Sequence, residues 1–131
     1  MKYLIDTSAL VRVIRRQVDA RWDDLTGHGL VAVCDPVLVE TLTIAGAKEV
    51  QRRREELLDT YPWVPVPDRV WEVVWNVHRT LAEHSAHQGL SVADQLVVAT
   101  ALHHRLTVLH LDADFETAAR IVPELRQERI S

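Results

Sequence analysis

The chain has 131 residues, of which 47% are hydrophobic and 26% charged, as is typical of one folded domain of about 100–150 residues. Its formal net charge of −4 argues against a broad nucleic-acid-binding surface, because such surfaces are basic. No apolar run approaches the roughly 20 residues of a membrane helix, and the run before Asp6 is too short for a secretory leader, so we expect a cytoplasmic protein that makes no membrane contact.

The chain begins with a predicted strand and two predicted helices. Residues 2–5 form a short apolar run without a helical period, which indicates a strand. A helix is predicted over 7–16, with the hydroxyl of Thr7 or Ser8 available to cap it, and a shorter helix over 19–26.

A second strand and two further helices are predicted next. The strand covers the apolar run 30–34 and contains Cys34, the single cysteine, which we expect to be buried and unreactive. Asp35 followed by Pro36 is the pattern of a helix start, and that helix should run towards Gly46. The strongly charged stretch 48–59 predicts another helix.

The second half again alternates between helices and strands. Residues 63–66 lie among prolines and are predicted to be an extended segment or an edge strand at best. The apolar residues of 69–84 recur with a period near 3.6, which indicates an amphipathic helix. The remaining predicted elements are a helix over 91–104, a strand over 107–111, a short helix over 115–120 and a possible edge strand near Arg129.

Apolar strands separated by helices predict an α/β fold with a parallel sheet covered on both faces, in a single domain over residues 1–131. In such sheets, functional groups gather beyond the carboxyl ends of the strands. Asp6 and Asp112 directly follow predicted strands, so they should meet at one edge of the sheet, with Asp114 two residues further on. The alternative is that these acids are helix caps, and Asp114 could cap the helix beginning at Phe115.

Two further acids lie inside predicted helices. Glu40 has Val37 three residues before it and Ile44 four residues after it, so it should lie on an apolar stripe, where an unpaired carboxylate is costly to bury. It is either paired with an arginine, at a solvated edge, or a metal ligand. Asp94 follows Ser91 in a pattern that resembles a capping box, and it could cap its helix while directing one oxygen into a cleft.

Four converging carboxylates repel one another unless cations lie between them. Mg²⁺ or Mn²⁺ suits such an all-oxygen site. Two cations there could activate water and stabilise the leaving oxygen of a phosphodiester, which predicts hydrolysis without a side-chain nucleophile.

The ordered set of these segments resembles a PIN domain. The matching parts are the opening Leu-Ile-Asp-Thr-Ser-Ala-Leu at 4–10, Glu40, Asp94, and Leu-Asp-Ala-Asp-Phe at 111–115. Among PIN domains, the small size and the N-terminal start resemble the VapC toxins of bacterial toxin–antitoxin pairs. The resemblance covers nearly the whole chain, and only the ordered set of motifs is specific.

The resemblance implies a three-layer α/β/α sandwich with a parallel sheet and a Mg²⁺- or Mn²⁺-dependent endoribonuclease acting on RNA. It implies a VapB-like antitoxin as partner, and a homodimer. Asp6 and Asp94 match the main metal ligands, Glu40 and Asp112 the other two catalytic acids. Ser8 matches a hydroxyl residue that supports the first acid. Both Asp112 and Asp114 lie near the fourth position; we prefer Asp112 as the ligand and Asp114 as the helix cap.

Other features admit weaker interpretations. Arg12, Arg15 and Arg16 could contact RNA phosphates or form a solvated helix face. Trp71 and Trp75, four residues apart, are predicted to pack in the core or at a dimer interface rather than to stack on bases. The seven histidines lack the spacing of a zinc site and are predicted to be surface residues.

Two other functions are alternatives to a toxin nuclease. One is a PIN nuclease that matures RNA, and the other is a non-catalytic PIN-like binding module. Metal-dependent cleavage distinguishes the binding module from a nuclease. A neighbouring gene for a DNA-binding antitoxin distinguishes the toxin from the maturation nuclease.

Overall fold

The computed structural model describes residues 1–131, and its strands and helices alternate along the chain. In chain order the elements are β1 (Tyr3–Ile5), α1 (Thr7–Ile14), α2 (Arg21–Gly27), β2 (Val31–Ala32), α3 (Asp35–Thr43), α4 (Val50–Thr60), α5 (Val70–Glu83), α6 (Val92–His104), β3 (Thr107–His110), α7 (Ala113–Ile121) and β4 (Gln127–Arg129). None of these helices is both long and apolar enough to cross a membrane.

The four strands form one parallel sheet in the order β2-β1-β3-β4. Leu4 is aligned with Ala32 on one side and with Val108 on the other, which makes β1 a central strand. All three residues of β1 are buried, as expected for a strand covered on both faces. The predicted α/β class and parallel sheet are confirmed.

The edges of the sheet are short. Beyond β2, Val33 forms only an isolated parallel bridge with Trp63, so the proline-flanked segment is no more than an extension of the edge. On the other edge, β4 pairs in parallel with β3, which confirms the edge strand predicted near Arg129.

Two predicted helix caps are wrong by one or two residues. Asp6, rather than Thr7 or Ser8, caps α1 by accepting a hydrogen bond from the backbone N–H of Ala9 at 3.1 Å. Asp112, rather than Asp114, caps α7 by accepting from the N–H of Asp114 at 2.9 Å. In both cases the acid nearest the strand end takes the cap, because the helix begins immediately after it.

Most of the buried apolar side chains form one cluster that includes residues from all three apolar strands. Cys34 belongs to it and is fully buried, as predicted, and burial raises the pKa of its thiol to about 12. The predicted core packing of Trp71 and Trp75 is wrong: they are 53% and 66% exposed. Helix α5 buries its valine face instead, and a dimer contact through the two tryptophans stays a prediction.

Candidate active site

Asp6 is the buried acid of the site. It follows β1 directly, is only 3% exposed, and its backbone N–H donates to the carbonyl of Leu109 in β3 at 2.9 Å. Its Oδ1 accepts hydrogen bonds from the Ser8 hydroxyl at 2.7 Å and from Ala9 N–H at 3.1 Å. Burial outweighs these bonds and raises the pKa of Asp6 to about 6.

Ser8 connects the two central strand ends. Besides donating to Asp6, its hydroxyl accepts a hydrogen bond from the backbone N–H of Leu111 at 3.0 Å, immediately before Asp112. The turn after β1 and the turn after β3 are therefore held against each other by one side chain. This contact supports the expectation that Ser8 orients the first acid.

Asp112 and Asp114 lie at the start of α7 and are both half-buried. Oδ1 of Asp112 makes the helix cap described above. The Asp114 carboxylate lies against the loop between α5 and α6, where a Cβ built on Gly89 would stand 2.9 Å from Oδ1 of Asp114. Desolvation, and next the charge of Asp112, raise the pKa of Asp114.

Asp94 makes the predicted capping box in full. Its backbone N–H donates to the Ser91 hydroxyl at 3.1 Å, and its Oδ2 accepts from the Ser91 N–H at 3.2 Å. Burial is the main cause that raises the pKa of Asp94, and the charges of Asp112 and Glu40 raise it further. The cap and a role in a charged site are thus compatible.

Glu40 is exposed, so the prediction that it lies on a buried apolar stripe is wrong. Helix α3 turns Val37, Leu38 and Leu42 inwards, whereas Ile44 is 70% exposed and does not extend that face. Oε1 of Glu40 accepts a hydrogen bond from the hydroxyl of Thr7 at 2.5 Å. Thr7 is a supporting residue that the sequence did not identify.

The four predicted acids affect one another electrostatically. The negative charge of Asp94 raises the pKa of Asp6, and the charges of Asp112 and Glu40 raise that of Asp94. As arranged here, no three acid, histidine or cysteine side chains meet closely enough to bind one ion together. The acids are therefore close enough to raise one another's pKa values, but they do not form a complete set of ligands around one ion position.

The hydrogen bonding of these acids has a common pattern. Each of the four accepts hydrogen bonds from the protein through one carboxylate oxygen only, and its other oxygen accepts none. The donor set is all oxygen, because the thiol of Cys34 is buried in the core. Carboxylates with a free oxygen fit a hard divalent cation such as Mg²⁺ or Mn²⁺, which also retains water ligands.

Of the three arginines that could contact RNA or form a solvated helix face, only two line the same groove. Arg15 and Arg16 line a groove of about 830 Å³ between α1, α3 and α4. Arg12 does not line it; it is exposed and lies one helical turn after Ser8 on the same side of α1.

The groove combines apolar and polar lining. Its apolar side chains include Ile14 from α1, Leu42 and Ile44 from the end of α3, and Leu57 from α4. Thr41 also lines it, and the Thr41 hydroxyl is buried without a hydrogen-bond partner. Such a surface suits an amphipathic polypeptide segment better than a nucleic acid.

Comparison with known proteins gives consistent results. The PIN domain family profile matches residues 3–121. The chain is 33% identical to Ribonuclease VapC21 of Mycobacterium tuberculosis, across 92% of this chain and 88% of that protein. It is 39% identical to Ribonuclease VapC6 of the same organism, across 76% of this chain and 80% of that protein.

Solved structures share the fold at lower identity. The structure of VapBC2 from Rickettsia felis, bound to a DNA fragment from their promoter, includes a chain with a TM-score of 0.77 and 17% identity, covering 98% of both chains. The VapBC structure from Salmonella typhimurium has a chain with a TM-score of 0.75 and 16% identity. At these identities the likeness shows the fold alone.

Proposed function

The chain belongs to the PIN domain family and is related to the VapC ribonucleases, and from this we propose that it is a divalent-metal-dependent endoribonuclease, the toxin of a VapBC-type toxin–antitoxin pair. The observation that carries the proposal is the set of four carboxylates whose charges affect one another: two beyond β1 and β3, Asp6 and Asp112, and two on α3 and α6, Glu40 and Asp94. Each is held by one oxygen and leaves the other free.

In the proposed reaction the four acids bind the cation, and Ser8 supports one of them. Asp6 and Asp94, with Glu40 and Asp112, would hold Mg²⁺ or Mn²⁺. When bound, the cation supplies an activated water and neutralises charge on the scissile phosphate. Ser8 holds one oxygen of Asp6 and leaves the other free for the cation. Because burial raises the pKa of Asp6 to about 6, this group is ready to ionise near neutral pH, where cation binding favours the charged form.

RNA is the proposed substrate, and Arg12 is the arginine best placed to contact it. It lies one helical turn after Ser8 and is exposed, so its charge is available to an RNA phosphate. Local contacts of this kind, together with the cations, would compensate for the net charge of −4.

A VapB-like antitoxin is the proposed protein partner, and the groove between α1, α3 and α4 is its proposed binding surface. The C-terminal half of α1 forms one wall of the groove, so the groove lies at the end of that helix away from Asp6, and none of the four acids lines it. Arg15 and Arg16 would then contact the antitoxin rather than RNA.

Two exposed apolar residues, one within α3 and one directly after it, provide a matched test of this surface. Ile44 lines the groove and is 70% exposed, whereas Val39 is 65% exposed and does not line it. Upon coexpression with a VapB-like antitoxin that copurifies with the wild type, Ile44→Asp should lose the antitoxin and Val39→Asp should retain it. Equal retention by both variants would exclude the groove as the binding surface.

Cleavage of total RNA by the purified protein tests the activity itself. We expect discrete fragments with Mg²⁺ or Mn²⁺, none with EDTA, and none from Asp6→Asn. Asp59→Asn, an exposed acid on α4, is the control and should cleave normally. If folded, antitoxin-free protein gives no cleavage with either metal, the chain is a non-catalytic binding module. Trimming of precursor ends alone would indicate an RNA maturation nuclease.

A further inference from the structure

His110 is a fully buried histidine at the carboxyl end of β3, two residues before Asp112. The expectation that the histidines lie on the surface is wrong for this residue. Its ring packs against Phe115 of α7 with the ring centroids 5.2 Å apart. Both ring nitrogens have partners, so the residue is more than an apolar filler of the core.

The two hydrogen bonds determine which nitrogen carries the proton. The backbone N–H of Asp112 donates to Nδ1 of His110 at 3.1 Å, and a backbone N–H can only donate, so Nδ1 must hold a lone pair. Nε2 lies 2.6 Å from Oε1 of Gln127 on β4, and in the neutral ring it is the nitrogen that donates. The ring is therefore the neutral Nε2–H tautomer.

This arrangement connects the edge strand to the active-site turn. The carbonyl of His110 accepts from the N–H of Ile130 at 2.8 Å, so the residue is fixed to β4 through its backbone as well as its ring. From this fixed position, Nδ1 holds the N–H of Asp112. On the other side of the turn, Ser8 holds the N–H of Leu111. Two consecutive backbone amides are thus each held by a side chain.

We propose that His110, oriented by Gln127, is a positioning residue that fixes the backbone of Asp112 and so sets where its free carboxylate oxygen points. The role of Asp112 itself rests on the proposed function. The structural part of the inference, the restraint on the Asp112 N–H, does not depend on it.

Two substitutions of His110 each remove one of the two hydrogen bonds made by its ring and keep the other. In His110→Asn the side-chain oxygen stands where Nδ1 stood and can still accept from Asp112, but the bond to Gln127 is lost. In His110→Gln the terminal amide stands where Nε2 stood and can still donate to Gln127, but the acceptor for Asp112 is lost. If His110 only joins β4 to β3, glutamine should replace it better than asparagine. If His110 positions Asp112, asparagine should replace it better than glutamine.

The first readout uses neither metal nor RNA. Amide hydrogen exchange of the wild type and the variants should show that protection of the Asp112 N–H is kept in His110→Asn and lost in His110→Gln. Gln127→Met, a change at a half-buried position of β4, leaves the ring in place and should lower that protection only in part. Equal protection in all four proteins would overturn the inference even if the protein proves to be a nuclease.

The second readout is Mn²⁺ affinity, measured by calorimetry on the same proteins. We expect His110→Gln to bind Mn²⁺ about 10- to 100-fold more weakly, as residues that orient metal ligands typically do when changed, and His110→Asn to lose less. A larger loss in His110→Asn than in His110→Gln would overturn the positioning role. If the wild type binds no Mn²⁺, the proposed function fails, whereas the exchange data still decide the restraint.

Discussion

The acids at the strand ends and the acids on the helices are held in different ways. Asp6 and Asp112, the strand-end pair, lie in two turns that the Ser8 hydroxyl joins by hydrogen bonds to both, and His110 accepts a further hydrogen bond from the backbone N–H of Asp112. Glu40 and Asp94, the helix pair, each have one partner side chain close to a helix start, Thr7 and Ser91. The turns after the strands therefore hold two carboxylates through a hydrogen bond between the turns, whereas each helix carboxylate is held by a single partner residue.

The largest expected effect is on RNA cleavage, and it should be the same for an acid of either pair. Asp6→Asn and Asp94→Asn should each lower RNA cleavage by about a thousandfold or more, because several kcal/mol of metal-ion catalysis corresponds to three factors of ten in rate. Single-turnover cleavage with Mn²⁺, beside the Asp59→Asn control, measures it. Near-normal cleavage by Asp94→Asn would reduce that residue to a helix cap, which contributes about 1 kcal/mol of stability or less.

The next largest expected effect is on the free energy of unfolding, and it concerns Asp6 of the strand-end pair. Burial raises the pKa of Asp6 to about 6, above its ordinary 3.8, so in metal-free protein the charged form is costly to fold. Below pH 4 the carboxyl group is neutral in both states and the cost is absent; it develops as pH rises through 6. Its size is on the order of 3 kcal/mol, because a tenfold change in an ionisation constant corresponds to about 1.4 kcal/mol.

Urea unfolding in EDTA measures this cost as a difference between two proteins. Asp6→Asn should be more stable than the wild type at pH 7.5 by roughly that amount, and the gap should close as pH falls from 6 to 4. A gap that is the same at both pH values would show that Asp6 is not held in a desolvated site.

Ser8→Ala should have an intermediate effect. It removes the hydroxyl that joins both strand ends and leaves the N–H of Leu111 without its acceptor. We expect Mn²⁺ affinity to fall about 10- to 100-fold. Ser8→Thr keeps the hydroxyl and is the control, so loss of affinity in both variants would indicate a packing defect rather than a lost hydrogen bond.

Thr7→Val should have the smallest effect. It removes one exposed hydrogen bond to Glu40 and nearly preserves the side-chain shape. A hydrogen bond of this kind contributes about 1 kcal/mol, so cleavage should fall by roughly fivefold or less. An effect as large as that of Ser8→Ala would contradict the distinction between the strand-end and helix pairs.

The sequence predicts the parts of this structure that follow from local patterns. Apolar strands alternating with helices predict the parallel sheet, and its geometry brings Asp6 and Asp112 to one edge. The capping box of Asp94 is readable because Ser91 and Asp94 are three residues apart. The four-acid site follows from the order of these motifs, and it stays a proposal.

The parts that the sequence does not predict depend on contacts between distant residues. The exposure of Glu40 is decided by which face of α3 packs on its neighbours, and Ile44 misleads because it lies beyond the helix. The exposure of Trp71 and Trp75 is decided in the same way, since α5 buries its valines. The role of His110 is hidden because its partner Gln127 lies on β4, the strand with the weakest sequence pattern.

Direct binding of Mn²⁺ tests the central claim, that these carboxylates form the cation site. Calorimetric titration of antitoxin-free protein should show binding by the wild type and by Asp59→Asn, and its loss in Asp6→Asn and Asp94→Asn with the fold intact by circular dichroism. Equal binding by all four proteins would contradict the claim, because the cation would then be held elsewhere.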